Sequence, residues 1–221
     1  MARRIVGAAF LSLDNVMQAP GGPDEDPRDG FPYGGWMASM DEEAIGIQIE
    51  NLFSQPFDLL LGRRTYEIFA AHWPYMPDEI PITRQFRDCT KYVLTGSDMT
   101  LDWEGSERLV DVDSLSALKA GDGPDIIIQG STTLYPQLLA RDLIDRLILI
   151  RLPVVIGQGR TMFGDGTPGR QFKPVETRVS PNGTVISTLE PAGEVGRSSF
   201  PVPALNERER ERRSKIAGGT W

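Results

Sequence analysis

The sequence predicts an α/β domain with a mainly parallel central sheet, helices on both of its faces and an antiparallel hairpin at the C-terminal end. Short apolar runs alternate along the chain with amphipathic segments, which is the pattern of strand–helix–strand units. The first run, residues 5–13, is almost wholly apolar, as expected of a central strand that helices cover on both faces. Two alternating segments flank Ser180-Pro181-Asn182-Gly183, a turn sequence typical of a hairpin.

A long loop and a helix are predicted after the first strand. Residues 19–35 contain nine prolines and glycines, which exclude regular structure. Ser39 and Glu42 then fit a capping box, and the apolar residues of 45–53 have helical spacing. Because long loops in compact domains often carry function, residues 20–36 are a candidate for contact with a substrate.

Three further strands are predicted to end in turns rich in glycine and hydroxyl side chains, each interpreted as a strand-to-helix junction. They are residues 58–61 before Gly62-Arg63-Arg64-Thr65, residues 91–94 before Thr95-Gly96-Ser97, and residues 125–128 before Gln129-Gly130-Ser131-Thr132-Thr133. Pro136 fits only the first turn of a helix, so the last of these helices is predicted to begin at residues 132–133. Its buried side is predicted to consist of Leu134, Leu138 and Leu139.

One domain, residues 1–190, and a charged tail, residues 191–221, are expected. The strongly apolar run 146–156 predicts a long inner strand near the end of the domain. The tail carries four acidic and six basic side chains, a charge of +2, whereas the first 190 residues carry −10. Glu and Arg alternate over residues 207–213, which suits a solvated helix. A solvated helix or disorder is therefore expected of the tail, and docking on the acidic body or a dimer mate is the alternative.

Composition excludes several classes of function. The net charge of −8 disfavours a general nucleic-acid or anionic-membrane surface. A single cysteine, Cys89, excludes an internal disulfide, and a single histidine, His72, also excludes a Cys/His zinc cluster, so no metal is expected. No run approaches the roughly 18 apolar residues of a membrane span, and Ser12 and Asp14 interrupt the first apolar run too early for a signal peptide. A cytoplasmic protein is expected.

The three junctions indicate a phosphate-bearing ligand. Open α/β sheets bind ligands beyond the carboxyl ends of their strands, where the free N–H groups of helix N-termini hold phosphate oxygens. Arg63 and Arg64 add guanidinium groups suited to a phosphate monoester. NADPH carries such a group on its adenosine ribose besides two bridging phosphates, so the pattern favours NADPH over NADH. The alternative is that these glycines and hydroxyls only cap helices.

Five segments of the chain match a known family in order and spacing: Ser12-Leu13-Asp14-Asn15, Gly62 to Glu67, Gly130 to Leu134, Leu143-Ile144-Asp145, and Pro153 to Phe163. Together they resemble the riboflavin-type reductase branch of the dihydrofolate-reductase-like superfamily over about residues 3–190. The resemblance implies a homodimeric, NADPH-dependent reductase of a small pyrimidine or pterin-like heterocycle. It implies that the cofactor is bound by Ala9, Gly62, Arg63, Arg64, Thr65, Thr95, Gly96, Ser97, Gln129, Gly130, Ser131, Thr132, Thr133 and Leu134. Gln129 departs from the pattern, because many relatives have a second glycine there.

Three further side chains are candidates for the reaction itself. The resemblance implies that Asp14 lies near the nicotinamide and orients the substrate or relays a proton, whereas its alternative role is to start the loop as a turn. Trp36 and Met37 are candidates for a lid on the heterocycle, or for an anchor that packs the loop. Two other functions stay open, a non-catalytic nucleotide-binding module and dihydrofolate reductase proper.

Overall fold

The computed structural model describes residues 2–38, 40, 42–201 and 204–221. The strands are β1 (Ile5–Leu11), β2 (Phe57–Gly62), β3 (Lys91–Leu94), β4 (Ser106–Leu109), β5 (Asp125–Gln129), β6 (Arg146–Arg151), β7 (Phe172–Val179) and β8 (Val185–Pro191). The helices are α1 (Glu42–Leu52), α2 (Arg63–Ala70), α3 (Pro81–Asp88), α4 (Val112–Ala120), α5 (Leu134–Ala140) and α6 (Glu207–Ala217). The predicted capping box includes Ser39, which lies outside the described residues.

The eight strands form one sheet in the order β4-β3-β2-β5-β1-β6-β8-β7. The first six positions in this order are parallel to one another, and β8 turns back antiparallel against β6. All seven residues of β1 are buried, and Gly7 pairs with Ile128 on one side and Leu147 on the other. The predicted mainly parallel sheet with a C-terminal antiparallel hairpin is therefore confirmed.

Helices cover both faces of the sheet. On one face, Leu115 of α4 and Leu138 of α5 are fully buried in the larger core cluster. On the other face, Tyr66 of α2 and Phe86 of α3 join Phe53 in a second, aromatic cluster. Leu134, Leu138 and Leu139 are 2%, 0% and 4% exposed, so the predicted buried side of α5 is confirmed.

The structure corrects two predictions about strand ends. The strand predicted over 146–156 stops at Arg151, because Pro153 has no N–H to donate and the N–H of Val154 bonds to Leu152 O instead. The turn Thr95-Gly96-Ser97 does not begin a helix. It leads instead through residues 98–105 to β4, a half-exposed, polar edge strand that carries little hydrophobic signal.

The predicted helix of the tail is present as α6, and its residues are exposed apart from the half-exposed Glu209. Asn206 caps its first turn by accepting a hydrogen bond from the N–H of Glu209. Within the described ranges, no helix has the length and apolar character that crossing a bilayer requires.

Candidate functional site

A cleft of about 480 Å³ lies at the carboxyl edge of the parallel strands. One wall comes from the ends of strands and the turns that follow them, and the opposite wall comes from the long loop after β1. The strand side includes Ala8, Ala9, Phe10, Gly62, Arg63, Arg64, Thr65, Thr95, Gly96, Gln129, Gly130, Ser131, Thr132, Thr133 and Leu134. All but one of the residues predicted to bind a cofactor therefore line a single cleft.

The turns after β2 and β5 meet in this cleft through Ser131. Its hydroxyl accepts a hydrogen bond from the N–H of Gly62 at 2.8 Å and lies 2.6 Å from the hydroxyl of Thr65. A Cβ on Gly62 would lie 2.7 Å from Ser131 Oγ, so only glycine allows this approach. The predicted convergence of the two glycine-containing turns at one edge of the sheet is thus present.

The backbone of the second turn adopts left-handed conformations. Gly130 has φ of 92° and Ser131 has φ of 69°, a region that glycine enters without steric cost and other residues enter rarely. The reversal turns the chain away from β5 and brings the Ser131 side chain towards α2. Strain at Ser131 is offset by its two hydrogen bonds to the neighbouring turn.

Helix α2 presents positive charge to the cleft. Its first turn follows Gly62 directly, and the early N–H groups of a helix have no acceptor within the helix. Arg63 and Arg64 line the cleft with exposed side chains. Arg63 Nη1 donates to Glu67 at 2.9 Å, whereas the ion pairs found among the described residues do not involve Arg64. The end of α2 can therefore bind an anion.

The turn after β3 contributes Thr95 and Gly96 to the cleft, but Ser97 is not among its lining residues. The Ser97 hydroxyl lies 3.0 Å from the Thr95 hydroxyl, and the backbone carbonyl of Ser97 accepts a hydrogen bond from Arg108. Asp111, next to this turn in the cleft, caps α4 by accepting the N–H of Ser114 at 2.8 Å.

Asp14 is not among the residues that line the cleft, and it joins the loop after β1 to the loop after β6 by hydrogen bonds. Its carboxylate accepts hydrogen bonds from the Ser12 hydroxyl at 2.6 Å, Ile156 N–H at 3.1 Å and Gly157 N–H at 2.7 Å. These bonds, that of Ser12 foremost, lower the pKa of Asp14 to about 2. The carboxylate is therefore ionised at neutral pH and orders the loop after β6; a role in proton transfer stays a prediction.

Trp36 and Met37 also lie away from the described lining of the cleft. Trp36 Nε1 donates to Gln18 O at 2.9 Å, and both side chains pack against a cluster that includes Phe10 and Ile150. These contacts are those of a packing anchor for the loop, the alternative that the sequence left open. Contact with a substrate stays a prediction.

The cleft is also lined by polar residues that the sequence analysis missed, among them Gln18, Glu25, Asp26 and Arg28 of the loop after β1 and Arg160 of the loop after β6. Glu25 Oε2 accepts the N–H groups of Gly21 at 2.7 Å and Gly22 at 3.2 Å. Burial of the side chain raises the pKa of Glu25. A dense run of charges, residues 24–29, inside a loop otherwise rich in proline and glycine was the available signal.

Comparisons with known proteins agree with this architecture. The dihydrofolate reductase of Enterococcus faecalis, in complex with NADP(H), superposes with a TM-score of 0.53 at 15% identity, covering 86% of this chain and 99% of that chain. A pyrimidine reductase-like protein from Corynebacterium diphtheriae gives a TM-score of 0.54 at 15% identity, covering 87% and 93%. These likenesses show a dihydrofolate-reductase-like fold.

Sequence similarity is more specific. The uncharacterized protein YwjB of Bacillus subtilis (strain 168) is 32% identical over 175 residues, which cover 76% of this chain and 86% of that protein. The family model of the RibD C-terminal domain matches residues 3–186, nearly the whole sheet together with the cleft. The chain belongs to the RibD C-terminal domain family.

Proposed function

We propose that this chain is an NADPH-dependent reductase of a small heterocycle of the pyrimidine or pterin type. The observation that carries the proposal is the meeting of Gly62–Thr65 and Gln129–Thr133 in one cleft beside the positive end of α2. The cleft runs along the ends of β3, β2, β5 and β1, about 14 Å at ordinary strand spacing. That length suits an extended dinucleotide.

The residues of the cleft fit such a cofactor in one direction. The N-terminus of α2 and the turn 130–133 would hold the bridging phosphates, and Thr95 and Gly96 would lie beside the adenosine. The nicotinamide would then lie over β1, where Ala8 and Ala9 leave room for a flat ring. The fit is supported by Gly130, where a Cβ would lie 3.0 Å from Thr65 Cγ2, so glycine allows the turn to lie against the start of α2 and both to face one ligand.

Hydride transfer requires the protein mainly to align the donor and acceptor carbons and to exclude water from them. When bound, NADPH supplies a hydride. Met17, Ala19 and Phe69 provide apolar surface that would keep the reacting region dry. Across the cleft, Glu25 Oε2 accepts the hydrogen bond that orders the loop, which leaves Oε1 for a ligand. Burial raises the pKa of Glu25, so its carboxyl group would suit donation of a proton to a nitrogen of the bound heterocycle.

Titration with NADPH and NADH tests the cofactor, and turnover tests the activity. We expect the purified chain to bind NADPH at micromolar concentration or more tightly and to prefer it to NADH. Oxidation of NADPH with a panel of pyrimidine, pterin and quinone-like acceptors would support a reductase, and binding without turnover would favour a nucleotide-binding module. Dihydrofolate in the same panel tests dihydrofolate reductase proper.

Charge reversal in α2 is expected to weaken the binding of NADPH more than that of NADH. Arg64→Glu should raise the Kd for NADPH about 10- to 100-fold, because a charge-assisted hydrogen bond to the extra phosphate is replaced by repulsion. Arg63→Glu should act in the same direction. Arg84→Glu on α3, with an exposed side chain outside the cleft, is the matched control. An unchanged ratio of the two Kd values in both cleft variants would contradict the assignment of the phosphate monoester.

We also propose that two chains pair through the hairpin edge. Strand β7 is exposed along nearly its whole length, with Val175 and Val179 53% and 65% exposed, and no strand formed by the described residues pairs with its outer edge. An unpaired edge with apolar side chains favours association. Sedimentation equilibrium is expected to give a dimer, and Val179→Lys is expected to shift it towards monomer. A monomeric wild-type chain would contradict the proposal.

A further inference from the structure

Gln129, one of the residues that line the cleft, carries a buried side-chain oxygen without a partner in the described part of the chain. It is the last residue of β5 and pairs in register with Ala8 of β1. The side-chain oxygen Oε1 is buried, and no hydrogen-bond donor reaches it among the described residues. Burying an acceptor without a donor is unfavourable, so such atoms in native proteins call for a physical reason.

The position of Gln129 in the sheet indicates which half of the dinucleotide would face it. The order of strands is β3-β2-β5-β1, so Gln129 lies between the turn assigned to the bridging phosphates and the β1 residues assigned to the nicotinamide. Phosphate oxygens offer no donor. The nicotinamide half offers two kinds, the N–H groups of its carboxamide and the hydroxyls of its ribose.

We infer that Gln129 is a specificity-determining residue whose Oε1 accepts a hydrogen bond from an N–H or hydroxyl donor on the nicotinamide half of the dinucleotide. The inference rests on the proposed function and deepens it. The unpaired oxygen is satisfied only when the cofactor is present.

Gln129→Met separates this role from a structural one, because the two roles predict opposite changes in the ligand-free protein. Methionine has a similar length and removes the unpaired acceptor, so the melting temperature without ligand should rise by about 2–4 °C. The Kd for NADP⁺ should rise about tenfold, because one hydrogen bond is lost in the complex. Gln55→Met, at an exposed site between α1 and β2, is the matched control and should change neither quantity.

Fragments and an analogue identify the donor. Adenosine 2′,5′-bisphosphate should bind the wild-type chain and Gln129→Met equally well, since it lacks the nicotinamide half. The 3-acetylpyridine analogue of NADP⁺ lacks the amide N–H. If the substitution weakens the binding of NADP⁺ but not of the analogue, the carboxamide is the donor. If it weakens the binding of both equally, the donor is a ribose hydroxyl.

Two results would overturn the inference. One is a lower melting temperature of ligand-free Gln129→Met, which would show that the amide supports the fold. The other is an equal loss of affinity for adenosine 2′,5′-bisphosphate. Failure of the wild-type chain to bind NADP⁺ at all would instead refute the proposed function, and the melting temperature of the variant would still report on the unpaired oxygen.

Discussion

Asp58→Ala is expected to lower the free energy of unfolding by about 3–5 kcal/mol, because it leaves a buried guanidinium without its charge partner. Arg3 and Asp58 are only 4% and 7% exposed and form an ion pair at the amino edge of the sheet. The second carboxylate oxygen of Asp58 accepts the N–H of Thr90 at 2.9 Å. Urea denaturation followed by circular dichroism measures the loss.

The same edge offers a matched control. Arg4 and Asp125 also form an ion pair at this edge, but their side chains are 56% and 30% exposed. Asp125→Ala should therefore cost less than about 1 kcal/mol. Equal losses for the two aspartates would contradict the assigned role of burial.

A double replacement tests whether the penalty comes from the unpaired charge. Arg3 also donates to Pro124 O at 2.7 Å and lies over the ring of Tyr92, with 5.4 Å to its centroid, so it fills space as well as carrying charge. Arg3→Met combined with Asp58→Leu removes both charges and keeps much of the volume. We expect it to be more stable than Asp58→Ala alone.

The strands that position the cleft were predictable because their signal is local. β1, β2, β3 and β5 are apolar runs, each ended by a polar or glycine-containing turn, and they lie within two residues of the predicted bounds. β4 escaped prediction because an edge strand that is half exposed needs no apolar run. The end of β6 escaped because the apolar side chains of 152–156 continue the pattern after Pro153 has removed the backbone donor.

The strand side of the cleft followed from sequence for the same reason, whereas the loop side did not. Gly62 and Gly130 mark turns whatever their surroundings. Glu25 reaches the cleft only because the long loop folds back over it, and the pattern of residues 19–35 does not contain that path. The role of Trp36 could not be predicted either, because an aromatic lid and a packing anchor have the same residue type and spacing.

Gly130→Ala is expected to lower kcat/KM for NADPH about 100-fold, the largest effect predicted for the cleft. Gly130 has φ of 92°, and a Cβ there would lie 3.0 Å from Thr65 Cγ2. The turn would have to move away from α2, which would pull Ser131 Oγ off the N–H of Gly62. The phosphate-binding groups of the two turns would then no longer face one ligand.

Two variants distinguish this loss of geometry from the general strain of a side chain at positive φ. Gly166 has φ of 82°, and a Cβ there would meet no other atom within 4 Å, so Gly166→Ala carries the backbone strain without the collision. We expect it to lose stability but keep its affinity for NADPH. Thr65→Ser removes Cγ2 and retains the hydroxyl that contacts Ser131. Since it opens the space that the new methyl group needs, the double variant Gly130→Ala with Thr65→Ser should recover part of the lost affinity; no recovery would show that φ at Gly130, and not its contact with Thr65, controls the turn.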